Sequence, residues 1–137
     1  MKYLSDYMSE RQSALFKETN TFFAFSEKQI QEGLAETKLT KKDICHMGMG
    51  MYCEKKHSDY LFKSLEDIYK DSIKIDIEEN GLPAIIEREL ANHEAYYTGD
   101  IDTTMDSLED YPVTTDDVIK IFRQKQYDPE TNMNVSV

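Results

Sequence analysis

Three clusters of side chains in this chain are of types that carry chemistry. Cys45, His46, Cys53 and His57 bring together both cysteines and two of the three histidines. Two thiolates and two imidazoles are a donor set for tetrahedral zinc. Zinc modules set their cysteines two to four residues apart, however, whereas seven residues separate Cys45 from Cys53, and Cys45 and His46 are adjacent. Two reduced thiols in a glycine-rich stretch with surface histidines account for the cluster, and no metal or cofactor is expected. Glu89, His93 and Tyr97 recur every fourth residue and so share one face of a helix. A carboxylate that orients an imidazole is how a general base is built. The same spacing also arises as a hydrogen bond at the edge of a core. The second histidine of the H-E-x-x-H zinc motif is missing. No nucleophile stands where His93 would activate it. A small enzyme or metal-binding protein using Glu89, His93 and Tyr97 is therefore an alternative reading, and no catalytic residue is assigned. Asp100, Asp102, Thr104 and Asp106 alternate like the start of a calcium loop, but Met105 replaces the required glycine and Tyr111 the bidentate glutamate. That excludes an EF-hand.

The widest feature is charge. Between Arg88 and Lys120 stand nine carboxylates, Glu89, Glu94, Asp100, Asp102, Asp106, Glu109, Asp110, Asp116 and Asp117, without one Lys or Arg. The whole chain carries 27 acidic and 16 basic side chains, a net charge of −11, with a pI near 4.6. Such a charge repels nucleic acid and anionic lipid and attracts basic grooves. Direct phosphate binding needs clustered Lys and Arg, and here they are dispersed, so no direct nucleic-acid partner is expected. The nine carboxylates are read instead as a surface for a protein partner. Carboxylates on successive helical turns imitate a phosphate backbone and suit a groove built for DNA or RNA, with fast, salt-sensitive association. An acidic face that serves solubility alone is the plainer alternative.

The elements that position these groups are mostly helices. Ser5 to Lys17 has helical spacing with Ser5 as cap, and Thr19-Asn20-Thr21 interrupts it. Phe22-Phe23-Ala24-Phe25 is too short to classify: a buried strand or an anchor in the core. Ser26 and Gln29 form a capping box that opens a helix to about Thr37. Thr40 and Asp43 repeat the start signal without a helix after it. Met47-Gly48-Met49-Gly50-Met51 favours an irregular loop or tight hairpin. Ser58 caps the longest helix, about 59 to 80, whose Leu61, Leu65, Ile68, Tyr69, Ile73 and Ile77 share a face. Asn80-Gly81 stops it, and Pro83 suits the first turn of the next helix, which runs to about Tyr97. Tyr96 and Tyr97 are about 100° apart on that helix, so only one is well buried. A short helix follows over Asp100 to Leu108, then a last one capped by Thr114 or Thr115. The expectation is a mainly α, single compact domain over 1–127, with five or six helices, a small β-hairpin near residues 20–53, and a flexible tail over 128–137. No apolar run approaches the ~18 residues of a membrane span, and no secretory signal is recognised at the N-terminus. A bacterial cytoplasmic location is expected.

Several blocks carry a resemblance. They are Ala14-Leu15-Phe16 leading to Phe22-Phe23-Ala24-Phe25-Ser26, the stretch Met47 to Cys53, Ile77-Glu78-Glu79-Asn80-Gly81, and above all Ile85 to Asp100 with its Asn92-His93-Glu94-Ala95-Tyr96-Tyr97-Thr98-Gly99-Asp100 tract. In this order, over roughly residues 5 to 125, the chain resembles a family of small acidic proteins of uncharacterised domain type, carried by phages and mobile elements of gut bacteria. The group is associated with anti-CRISPR proteins, inhibitors of the type II CRISPR effector nuclease. What the resemblance implies is a non-catalytic inhibitor that binds that nuclease, and it supplies no catalytic residue. A mobile-element interaction module unrelated to defence is the third reading.

Overall fold

The computed structural model describes residues 1–126. The chain is mainly α-helical, with seven α-helices and one small three-stranded antiparallel sheet among the described residues. It divides after Ser72 into two compact units. The tail expected from residue 128 lies outside the described residues. No described helix is long and apolar enough to cross a membrane.

In the first unit, α1 (Leu4–Glu18) is not capped by Ser5. Tyr3 sits at the cap without a side-chain cap bond, and its amide donates to the Asp6 carboxylate at 2.8 Å, the half of a capping box that a first-turn acid supplies. The helix stops where the Thr19 hydroxyl donates back to the Leu15 carbonyl at 2.8 Å and Asn20 takes a positive φ of 54°. The short apolar run forms β1 (Phe22–Phe23), an edge strand. Ser26 caps α2 (Glu27–Thr37) by accepting from the Gln29 amide, while the Gln29 side chain accepts from the Phe25 amide. The Thr40–Asp43 signal starts only one 3-10 turn, after which the chain extends into β2 (Ile44–Gly48). Gly48, Met49 and Gly50 all take positive φ and return the chain as β3 (Met51–Glu54), which lies between β1 and β2.

The register places Cys45 opposite Cys53, and both His46 and Phe22 opposite Tyr52. Side chains alternate across a strand, so Phe22, Tyr52 and His46 form an aromatic row on one face, with centroids 5.5 and 4.7 Å apart. Gly33 of α2 lies against this row. A Cβ there would stand 2.2 Å from the Phe22 ring, which accounts for a glycine inside a helix despite its cost of about 1 kcal/mol. On the opposite face Cys53 joins Leu15, Leu61 and Ile68 in an apolar cluster. A second 3-10 turn, Lys55–His57, leads directly into α3 (Ser58–Asn80). Ser58 has helical torsions, φ −60° and ψ −44°, so it is the first residue of that helix and not its cap.

The second unit begins within α3. Gly81 ends that helix at φ 77°, its amide donating to the Ile77 carbonyl at 2.9 Å, and Pro83 lies in the first turn of α4 (Leu82–Asn92). The expected single helix to Tyr97 does not form. His93 closes α4, Glu94 takes the left-handed conformation (φ 55°, ψ 29°), and a short α5 (Ala95–Thr98) follows. Then come α6 (Asp102–Ser107) and α7 (Thr115–Gln126). Thr114 and Asp117 cap α7 reciprocally, amide to carboxylate at 2.8 Å and amide to hydroxyl at 3.2 Å. α4 packs against α5, α6 and α7, and Ile85, Ile86, Leu90, Leu108, Val118 and Phe122 are buried. Each fully buried aliphatic side chain is worth about 1.5–3 kcal/mol. That outweighs the roughly 1–2 kcal/mol of a left-handed non-glycine residue, so the break at Glu94 is tolerated.

Candidate functional site

Charge is divided unequally between the two units. Met1–Ser72 holds 12 acidic and 11 basic side chains, whereas the chain from Ile73 onward holds 15 acidic and 5 basic. The net charges are −1 and −10, which sum to the −11 of the whole chain. Nearly all of the net negative charge therefore belongs to one unit, and most of that to the segment that begins where α4 ends.

Eight of the nine carboxylates read from the sequence are on the surface: Glu94, Asp100, Asp102, Asp106, Glu109, Asp110, Asp116 and Asp117 are all exposed. Asp102 and Asp106 are four apart on α6 and share a face. Asp116 and Asp117 occupy the first turn of α7, where the helix dipole favours negative charge. Asp100 and Asp117 also have local duties. The Asp100 carboxylate accepts from the Asp102 amide at 2.9 Å, and Asp117 serves the α7 cap. The calcium-like alternation is thus a turn before a helix, and its Thr104 is fully buried.

Glu89 is the exception and leaves the surface set. It is 8% exposed, and its carboxylate accepts from Arg88 Nε at 2.6 Å. Arg88, itself buried, reaches back to Asp76 on α3 with both terminal nitrogens, Nη1 to Oδ1 at 2.8 Å and Nη2 to Oδ2 at 2.9 Å. Asn80 donates to the same carboxylate at 2.8 Å, and the Tyr111 hydroxyl donates to it as well. Burial pushes the Asp76 carboxyl up, but the donors Arg88, Tyr111 and Asn80 outweigh it and hold the group below the usual carboxylate range. Burial and the bond to Asp76 push the Tyr111 hydroxyl up. No sequence motif marks this network. Its signal was present: Ser72 and Asp76 continue the Leu61, Leu65, Ile68 stripe, and both are fully buried.

The Glu89, His93 and Tyr97 grouping is not assembled. His93 Nε2 lies 3.7 Å from Glu89 Oε1, beyond hydrogen-bond distance, and Glu89 is engaged by Arg88. The break at Glu94 rotates the following residues off the α4 face. Tyr97 is 92% exposed, and it is Tyr96 that turns inward, stacking on Phe122 at 5.5 Å. Burial and the Glu87 charge push the Tyr96 hydroxyl up to about 12.

The four soft ligands are also divided. Cys45 and Cys53 face each other with sulfurs 3.8 Å apart, whereas His46 points to the opposite face and stacks on Tyr52. Among the described residues, no three His, Cys, Asp or Glu side chains converge as a metal-ligand group.

The chain belongs to a family of unknown function, DUF7659, whose model matches residues 4–127. Neither the curated proteins nor the solved structures hold a match to it.

Proposed function

We propose that the protein is a non-catalytic inhibitor that binds a basic nucleic-acid groove of a protein partner through its acidic second unit. The type II CRISPR effector nuclease is the partner that the resemblance of the Asn92 to Asp100 tract implies. The observation that carries the reading is the segregation of charge: net −10 from Ile73 onward, with eight exposed carboxylates between Arg88 and Lys120. A groove built for a polyanion attracts such a surface over about a Debye length, roughly 8–10 Å at physiological salt, so association is fast and falls with ionic strength.

The test is a DNA-cleavage assay with the purified nuclease and its guide, titrating this protein from sub-stoichiometric amounts to excess. Inhibition should saturate at stoichiometric amounts and weaken as salt rises. Reversing charge at Asp102, Asp106 and Glu109 together should abolish inhibition while the circular dichroism spectrum stays unchanged. Full inhibition by that triple variant removes the acidic-surface mechanism. No inhibition by the wild-type chain at any ratio removes this nuclease as the partner, and inhibition far below stoichiometry replaces binding with turnover.

A further inference from the structure

The hairpin of the first unit sets its two cysteines directly opposite each other. Their Sγ atoms are 3.8 Å apart, and the Met47 thioether lies 3.7 Å from Cys45 Sγ. Cys53 is fully buried and Cys45 is partly exposed. The Glu54 amide donates to the Thr19 carbonyl, which precedes β1, and the Gly50 carbonyl accepts from Ala24 just after β1. Peptide groups alternate along a strand, so those of Cys53 face β2. Cys45 and Cys53 are therefore a hydrogen-bonded pair, with Cα atoms about 5.5 Å apart. A disulfide spans Cα separations of about 4.4–6.8 Å. The Cβ atoms of such a pair stand toward the wide end of about 4.5–5.5 Å, against about 3.5–4.5 Å in a disulfide, so closing the bond draws the two strands slightly together and leaves it strained and readily reduced.

We propose that Cys45 and Cys53 are a reversible two-electron redox pair that closes a disulfide across the hairpin when the chain meets a peroxide. Cys45 is the point of entry, because it is the one of the two that is not fully buried. Its thiolate attacks one peroxide oxygen; the O–O bond breaks, Cys45 becomes a sulfenic acid, and the departing hydroxide is protonated to water. The Cys53 sulfur then attacks the Cys45 sulfur. The S–S bond forms, the S–O bond breaks, and the oxygen leaves as water with the proton Cys53 gave up. Two thiols and one hydrogen peroxide give one disulfide and two waters, the sulfurs losing the two electrons the peroxide gains.

The two positions suit these unequal roles. Burial, together with the neighbouring Cys45, pushes the Cys53 thiol up to about 12. A buried thiol of that kind is inert toward an oxidant in solution and reacts only with a sulfur already beside it. Exposed or strained bonds between thiols are the labile, regulatory ones, and in a reducing compartment such bonds are transient. Met47 is a built-in control, since unguided peroxide adds oxygen to a thioether as well.

The test treats the full reduced chain with hydrogen peroxide under native conditions. It reads intact mass, thiol titration in denaturant and a peptide map. The expected product is a monomer two hydrogens lighter, with both thiols gone and one cross-linked peptide joining Cys45 to Cys53. Reduced glutathione should restore both thiols. Cys53→Ser should stop at a Cys45 sulfenic acid that dimedone captures, and Cys45→Ser should resist the same exposure. If Cys53→Ser does not fold, the wild-type mass and the Cys45→Ser chain still decide. Oxygen added at Met47 with both thiols intact, disulfide-linked dimers, or a bond that glutathione does not reopen each overturns the proposal.

Discussion

Replacing Arg88 by methionine, which keeps most of the side-chain volume and removes the charge, tests the buried network of the second unit. Asp76 is fully buried and would lose both guanidinium bonds, keeping only Asn80 and Tyr111. Removing one partner of a buried ion pair costs about 3–5 kcal/mol, because the remaining charge is stranded. At roughly 4 °C per kcal/mol for a chain of this size, the melting temperature should fall by about 12–20 °C. Adding Asp76→Asn to Arg88→Met removes the more deeply buried of the two stranded carboxylates, Glu89 being the other, and should recover part of the loss, a coupling of up to about 3 kcal/mol. The effect also has a pH signature. In the wild type the Asp76 carboxyl is held below its ordinary value, so its stabilisation is present above the unfolded pKa of about 3.9 and is lost as pH falls through the folded value. In Arg88→Met burial acts without the guanidinium and raises the group, so the variant loses stability as pH rises through that raised value. The gap between the two proteins should therefore narrow from pH 7 to pH 4. Urea unfolding followed by circular dichroism at both pH values measures it. A loss below about 1 kcal/mol, the size of one ordinary hydrogen bond, or a gap that does not change with pH, refutes the reasoning.

Three further changes probe other elements. Tyr111→Phe deletes one donor to the Asp76 carboxylate and should cost about 1.5–3 kcal/mol in the same urea experiment. Gly33→Ala gains about 1 kcal/mol of helix propensity but drives a Cβ to 2.2 Å from the Phe22 ring. Overpacking costs about 1–3 kcal/mol, so a lowered melting temperature is expected, and a raised one would show that the ring moves freely. Glu94→Gly should stabilise the chain by up to about 1 kcal/mol, since glycine adopts positive φ at no steric cost. A destabilised Glu94→Gly protein would mean that the Glu94 side chain, not its backbone, holds the junction.

Helices whose signals are local were legible in the sequence. Ser26 with Gln29 and Gly81 with Pro83 each act within one turn of chain and stand where their residues predict, and Thr114, one of two candidate caps, opens α7. Local reading failed where two residues compete for one role. The Tyr3–Asp6 bond starts α1 two residues ahead of Ser5, and a preceding 3-10 turn drew Ser58 into α3. The break at His93–Glu94 carries no glycine or proline, so nothing in the local pattern announces it, and Tyr97 was assigned to a face that Tyr96 takes. The surface position of eight carboxylates followed from their density in a stretch without Lys or Arg, because charged side chains stay in water.

What the sequence determined by itself is thus the helical class, most element boundaries, and the concentration of net negative charge in the second half of the chain. These depend on periodicity, capping and composition, which act over a few residues. The tertiary structure alone decided which polar groups go inside and which side chains meet. Asp76 with Arg88, and Cys45 with Cys53, are partners from different elements. Charge burial and sulfur contact are set by distance in space, which no short-range spacing encodes.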